Sequence, residues 1–451
     1  MNLSLHDKMA VLLGAAVVLP VNGYEVDGLT PQAVVRPGDR HQVAEVLRWA
    51  SSEGVSVMPR GGGTRMGLGN VAGRADLVLD LGGLDRMVDY QPADMTATVE
   101  AGMTLASLQQ HLAPGGEFVP LESPLAGRST VGGVLSVGTG GPLAHAYGLP
   151  REWLIGIGVL SPEGVATKAG GTVVKNVTGY DLDKLYTGSM GTLAVIIEAS
   201  FKLLPVNPEA GALMASFPSV STAVSAGRKL LHSPVAPMGY HSVTSGVSLR
   251  LPNSASLDAG RGEPAPALSL AFYSGRAKAT GRRLEESASL LLAQGATAVQ
   301  RIDGPAVNDL LRWLTDFPAK MSPSSALVMK LSVPSKSVLQ ASDECGEANL
   351  SGQSPEQLAD PGFGTIRLIW AKAAGGKGNI GEDSFQETIH GIRQIAQRYG
   401  GTAVVEHCPL TVKAQIDVWG DPPDSLAIMQ RIKDKFDPNG ILNPGRFLGG
   451  I

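Results

Sequence analysis

Eleven residues, Pro59-Arg60-Gly61-Gly62-Gly63-Thr64-Arg65-Met66-Gly67-Leu68-Gly69, constrain this chain more than any other stretch. Gly54-Val55-Ser56-Val57-Met58 before them reads as a short buried strand, and Asp76-Leu77-Val78-Leu79-Asp80-Leu81 after them as another. A glycine-dense loop therefore joins two strands with no room for a helix between them. Successive glycines can take positive φ and let backbone approach a ligand closely. Their N–H groups can form an anion-binding concavity. Thr64 adds a hydroxyl, and Arg60 and Arg65 add positive charge. This chemistry suits a pyrophosphate; a plain glycine-rich hairpin loop is the alternative. A Walker loop needs Gly-Lys-Ser/Thr opening a helix, and lysine and helix are both missing. A Rossmann fingerprint needs a helix too.

A length of 451 residues allows two or three domains with full cores. An apolar content of 43% with 17% charged residues describes a soluble globular chain. The formal charge of −4 excludes the basic footprint of a nucleic-acid binder. The two cysteines, Cys345 and Cys408, cannot hold an iron–sulfur cluster alone and argue for a reducing, cytoplasmic setting. Met9 to Leu19 is apolar but too short to span a bilayer, and it follows Asp7-Lys8 rather than a basic segment. It reads as a helix over 7–13 and a strand over 15–19, and no direct membrane insertion is expected; any membrane association would run through partners.

In chain order, 31–37 reads as a strand and Asp39 as the cap of a helix carrying Val43, Val46, Leu47 and Ala50 at helical spacing. Strand 97–102 precedes a helix capped by Thr104. Residues 153–160 and 164–169 form a hairpin about Ser161-Pro162-Glu163-Gly164. A glycine turn at 188–193 runs into a β-branched strand. Residues 209–375 repeat strand–helix–strand units: 213–217, 221–231 and 239–243, then 268–273, 279–293 and 298–302, with further strands at 327–333 and 365–371. Stretches 253–266 and 341–362 read as long surface loops. A two-layer α+β domain with an antiparallel sheet is the simplest assembly. A helix over 385–399, a strand over 402–405 and a helix over 425–436 complete the chain.

Four motifs then stand in order: the loop at 59–64, Thr-Val-Gly-Gly at 130–133, Gly-Ser-Met-Gly-Thr-Leu at 188–193, and Asp-Pro-Asn-Gly-Ile-Leu-Asn-Pro-Gly at 437–445. Together they resemble the vanillyl-alcohol-oxidase/PCMH flavoprotein superfamily. Within it the chain is most similar to FAD-binding subunits of bacterial glycolate oxidase (glycolate dehydrogenase), notably over 170–182. The resemblance covers nearly the whole chain and is weakest in the middle. It implies an α+β fold: a two-subdomain PCMH-type FAD-binding domain over 1–208, an α+β cap with an antiparallel sheet over 209–414, and a C-terminal segment, 415–451, returning to the first domain.

The resemblance also implies one FAD, held by Pro59, Arg60, Gly61, Gly62, Gly63, Thr64 and Arg65 around the pyrophosphate. Thr130, Gly132 and Gly133 would lie along it, Gly138, Thr139, Gly140 and Gly141 would border the isoalloxazine, Gly191, Val195 and Ile196 would line an edge, and Asn443 would close the site. Neither phosphate-side loop contains the His or Cys that anchors the cofactor covalently in some relatives, so the FAD is expected to be non-covalent; His145 is the nearest candidate anchor.

Related 2-hydroxy-acid dehydrogenases carry two metal-binding stretches. This chain keeps part of one, Glu406, His407 and Lys413, with Cys408 where glycine is expected, and lacks the histidine-rich other. Two ligands are too few for a metal, so none is expected. Glu406 and His407 are then candidates for acid/base work, or simply a structurally satisfied pair; Arg367 could bind a carboxylate or form a core-edge ion pair. The expected role is an FAD-binding subunit of a glycolate or lactate dehydrogenase complex, partnered by a second flavin-bearing catalytic subunit and an iron–sulfur subunit. The alternatives are a self-sufficient dehydrogenase and a scaffold whose flavin is structural.

Overall fold

Asp39 starts the first long helix, Arg40–Glu53, because its carboxylate accepts from the N–H groups of His41 and Gln42 at 2.8 and 3.0 Å. Gly54 ends the helix in the left-handed conformation at φ 64°. Val43, Val46, Leu47 and Ala50 are fully buried on one face. They pack against Ala33, Val35, Leu77 and Leu79 of a four-stranded sheet. Burying each valine or leucine among them contributes about 1.5–3 kcal/mol relative to exposure. A computed structural model describes residues 3–171, 180–248, 250–251, 267–321, 325–372 and 380–451. Most of the 170–182 motif and the loop expected at 253–266 lie outside these residues.

That sheet runs Val18–Leu19, Ala33–Val35, Leu77–Asp80, Val57–Arg60. Val57–Arg60 pairs with Leu77–Asp80 in parallel. The glycine loop is therefore a crossover and not a hairpin, and no helix intervenes. A second, antiparallel sheet runs Met87–Gln91, Thr96–Glu100, Val195–Lys202, Leu154–Leu160, Ala166–Gly170. Ala97, Val99, Ala199 and Phe201 bury one face of it against Leu105, Leu108 and Leu112 of the helix Leu105–Leu112, whose first turn is capped by Thr104. The end of the chain returns here: Leu442 bridges Val57 in parallel, and Asn443 N–H donates to the Val57 carbonyl at 3.0 Å.

The chain divides into two units, one of residues 1–140, 149–206 and 416–451, the other of residues 141–148 and 207–415. Residues 141–148, read with the first domain in the sequence, thus group with the second unit. There the His241 ring bonds the Pro142 carbonyl at 2.8 Å.

The second unit is built on an eight-stranded antiparallel sheet, in the order Ala298–Asp303, Glu209–Phe217, Ala267–Gly275, Gly239–Thr244, Glu356–Asp360, Thr365–Ala371, Ser325–Ser332, Thr402–His407. Alternation along Glu209–Phe217 sends Ala212 and Met214 to one core and Leu213, Ala215 and Phe217 to another. Helix Pro305–Met321 supplies the first core; helices Val220–Leu231 and Ala277–Ala293 supply the second. Helices thus cover both faces at this end, where two layers were expected. The stretch 341–362, expected to be a loop, instead contains most of helix Val338–Gly346 and strand Glu356–Asp360. Its Ser342 is buried rather than solvated, at 1% exposed, and donates to Gln357 at 2.7 Å, while Ser351 and Ser354 are exposed. Among the described residues no helix is long and apolar enough to cross a membrane.

Candidate functional site

The glycine loop is held by its neighbours through missing side chains. A Cβ on Gly61 would lie 1.9 Å from the Thr130 hydroxyl, and one on Gly62 would lie 1.6 Å from the Arg128 carbonyl oxygen. Of the three glycines only Gly63 has positive φ, at 69°. The expectation of three positive-φ glycines is corrected accordingly: Gly61 and Gly62 are required by close approach to the 128–130 segment. A side chain on Gly132 would likewise meet Ala101 Cβ at 2.8 Å rather than point at a ligand.

Thr64 completes the junction, its hydroxyl 3.0 Å from that of Ser129. Thr130 caps the helix Val131–Val137, accepting from the Gly133 N–H at 3.4 Å. This helix went unread in the sequence because two glycines dilute its apolar pattern; threonine immediately before a glycine-rich apolar run was the available signal. Its far end is pinned to the next motif, since Gly188 and Met190 N–H groups donate to the carbonyls of Leu135 and Ser136, each at 2.9 Å. Gly138 caps it at φ 68°.

These elements surround a cavity that is partly open to solvent. Pro59, Arg60, Gly61, Gly62, Gly63, Thr64, Arg65, Thr130, Gly132, Gly133, Thr139, Gly191, Val195, Ile196 and Asn443 all line it. Gly138 and Gly140 do not. Sequence reasoning missed Arg446, Met190, Ala101 and the hydroxyls of Ser123, Ser129 and Ser136 on the same wall. Only the proximity of Arg446 to Asn443 could have pointed to it.

Among the described residues the lining carries three arginines and no carboxylate, so its field favours an anion. Arg60 stacks its guanidinium 4.1 Å from the Tyr24 ring centre and donates to the Gly23 carbonyl at 2.9 Å, which fixes it at the loop's edge. Arg446 is 2% exposed and donates through Nη2 to the carbonyls of Met66 and Leu68. Burial pushes its guanidinium below its ordinary pKa, partly opposed by Asp27 at 3.8 Å. Asn443, at φ 43°, donates through Nδ2 to the Met190 carbonyl at 2.7 Å. Two buried atoms of this wall, Asn443 Oδ1 and Arg446 Nη1, make no hydrogen bond. A buried acceptor and a buried donor without hydrogen bonds, on residues lining the same cavity, suit a ligand that offers both.

Glu406 and His407 belong to the second unit. Arg367 grips Glu406 bidentately, Nε to Oε2 at 2.6 Å and Nη2 to Oε1 at 3.1 Å, with both side chains largely buried. The core-edge ion pair is the arrangement observed, and both Glu406 carboxylate oxygens are engaged. His407 ends the strand Thr402–His407, paired with Val328, and Lys413 is buried at the end of Leu410–Lys413. His145, the candidate covalent anchor, sits against Gly362 in the second unit. Among the described residues no group of three His, Cys, Asp or Glu side chains could hold a metal.

Comparison with known proteins agrees with this architecture. Residues 31–180 match the FAD binding domain family, and residues 376–447 match the C-terminal domain of FAD linked oxidases. D-2-hydroxyglutarate dehydrogenase of Xanthomonas citri pv. viticola is 34% identical over 42% of this chain, a match spanning 40% of that relative's own length. Glycolate oxidase subunit GlcD of Bacillus subtilis is 24% identical over 92% of this chain and 88% of its own. Among solved structures, p-cresol methylhydroxylase with substrate bound superposes with a TM-score of 0.71 at 17% identity, covering 98% of this chain and 95% of the other. FAD is the cofactor. The cavity's chemistry fits it: arginines without carboxylates among the described lining residues for the diphosphate, and a buried donor and a buried acceptor without hydrogen bonds for an amide-bearing ring.

Proposed function

Given that this chain belongs to the FAD-linked oxidases of the vanillyl-alcohol-oxidase/PCMH superfamily and is an FAD-dependent oxidoreductase, we propose that it is the FAD-binding subunit of a 2-hydroxy-acid dehydrogenase complex, with glycolate or lactate as substrate class. The cavity built by the 59–66 loop, the 130–139 helix segment, the 190–196 turn and strand, and Asn443 with Arg446 holds the cofactor. When bound, FAD supplies the two-electron acceptor. The protein's own contribution is to bind and orient it: Arg65 and the loop backbone at the diphosphate, Gly133 leaving room along the helix, and the Asn443–Arg446 wall offering one acceptor and one donor. The observation that carries the placement is the pair of buried, unbonded atoms on a wall otherwise free of acidic groups. The subunit role is supported by the near full-length likeness to a glycolate oxidase subunit. The Arg367 clamp supports it too, because it occupies the one carboxylate of the Glu406–His407 pair.

Among the described residues no side chain lining the cavity is His, Cys or Tyr. Acid precipitation should therefore release all the yellow colour into the supernatant as FAD; colour kept in the pellet, or FMN in the supernatant, contradicts non-covalent FAD. A second reading, a self-sufficient dehydrogenase, draws on the relative named D-2-hydroxyglutarate dehydrogenase. Dye reduction separates the two. The purified chain alone should reduce dye with glycolate or D-lactate very slowly, and activity should return with a second flavoprotein subunit and an iron–sulfur subunit. In that complex, loss of Glu406 and His407 should cost little. Robust steady-state turnover by this chain alone, abolished by His407→Ala, would establish the self-sufficient enzyme.

A further inference from the structure

Helix Leu426–Phe436 buries a lysine on its way to the cavity wall. Lys433 is 6% exposed, and its ammonium spends all three N–H donors on protein: Asp437 Oδ2 at 2.6 Å, the Thr192 carbonyl at 2.8 Å and the Leu442 carbonyl at 3.0 Å. Asp437 is 2% exposed. Besides Lys433 it accepts from two backbone N–H groups, Ile441 at 3.1 Å and Leu442 at 2.8 Å. The pair therefore binds both sides of one seam. On one side is the 188–193 turn, through Thr192; on the other is the returning segment 441–443, through three backbone groups. One residue further along that segment, Asn443 crosses the same seam to the Met190 carbonyl, and a Cβ on Gly191 would lie 3.1 Å from Asn443 Nδ2.

We propose that Lys433 and Asp437 are positioning residues for the cofactor: a buried charge pair that sets the spacing of the 190–191 and 443–446 walls and so holds Asn443 Oδ1 in place. This rests on the reading that the cavity holds FAD. A buried ion pair is a weak device for stability, because desolvation offsets much of its attraction, and well-packed apolar residues often serve as well. What apolar residues cannot do is fix a register between two irregular segments. Here the charges bond four backbone groups of a turn and a tail that share no strand ladder with each other. Neither charge touches the cavity; they act through Asn443 and Gly191.

The test titrates apoprotein with FAD, reading bound-flavin fluorescence and visible spectrum, beside thermal unfolding of the apoprotein. Lys433→Met should weaken FAD binding by about tenfold or more, the equivalent of one charge-assisted hydrogen bond lost at the wall, and alter the bound flavin spectrum. Phe436→Leu, in the same helix and packed 5.9 Å from the Tyr186 ring, should lower the unfolding temperature yet leave FAD affinity within about twofold. Lys433→Met binding FAD with wild-type affinity and spectrum would overturn the proposal. So would Phe436→Leu losing affinity in step with its stability, the mark of a merely structural role. Should Lys433→Met not fold, Lys433→Gln, which keeps two donors on a shorter stem, carries the same comparison. Gly133→Leu in the same titration separates the layers of inference. If it keeps FAD, the cofactor is not in this cavity. If it loses FAD while Lys433→Met does not, only the positioning role fails.

Discussion

Gly133→Leu should fold normally and purify colourless. Gly133 is exposed to the cavity, three residues into a helix whose φ values are ordinary there. A Cβ at this position meets only the Thr130 hydroxyl, at 3.2 Å, a contact a hydroxyl can relieve by a small rotation. Leucine is the better helix former, by roughly 0.8–1 kcal/mol in a helix interior. The apoprotein should therefore unfold at or above the wild-type temperature, with unchanged far-UV circular dichroism. Its side chain, however, grows into the cavity proposed to hold the cofactor. FAD affinity should drop by more than about a hundredfold, or about 2.7 kcal/mol. Equilibrium dialysis of the apoprotein against FAD measures this directly. Wild-type occupancy would place the cofactor elsewhere.

Gly62→Ala should do the opposite, damaging the protein before the ligand is considered. The added methyl carbon itself would sit 1.6 Å from the Arg128 carbonyl oxygen, and no rotamer can relieve that. The loop must move as a body. Moving it breaks the Thr64–Ser129 hydroxyl contact and the 3.4 Å Arg128–Gly62 hydrogen bond, and it opens the wall against Thr130. Overpacking of this kind costs about 1–3 kcal/mol, and more where backbone is displaced. A urea midpoint lowered by an amount equal to about 3 kcal/mol is expected, with flavin lost as well. Valine at 62, which pattern alone suggests would give a folded apoprotein, should be worse still. An unshifted midpoint for Gly62→Ala would show that the loop does not pack on the 128–130 segment.

The contrast between these two glycines explains what was legible in the sequence. That glycine motifs far apart in the chain serve one ligand is what their joint resemblance to a flavoprotein family implies, and fifteen of the named positions do line one cavity. Why each is glycine could not, because the reason lies in a partner residue elsewhere: Arg128 for Gly62, Thr130 for Gly61, Ala101 for Gly132. The same holds for the polar groups. Arg446 follows a turn-rich Asn-Pro-Gly and reads as a surface charge; only the return of the tail beneath the glycine loop buries it. Glu406 beside His407 invites a catalytic reading, and Arg367, 39 positions away, takes up the carboxylate. Local signals fared best where physics is local. Asp39 and Thr104 cap the helices they seem to cap. Fold class followed from strand–helix rhythm. Helices 305–321 and 338–346 were hidden by Pro318 in one and by serine and flanking turn formers in the other.

The parallel bridge between Val57 and Leu442 carries a consequence for biosynthesis. Asn439 and Ser51, which bond beside that bridge, are 388 positions apart. At ordinary translation rates of about 5–20 residues per second, roughly 20 to 80 s separate their emergence from the ribosome. Throughout that interval the Val57–Arg60 strand is an open edge, its hydrogen-bonding groups available to any passing strand. Until that segment emerges the nascent chain also lacks Asn443 and Arg446, so the proposed cofactor cavity is completed only late in synthesis.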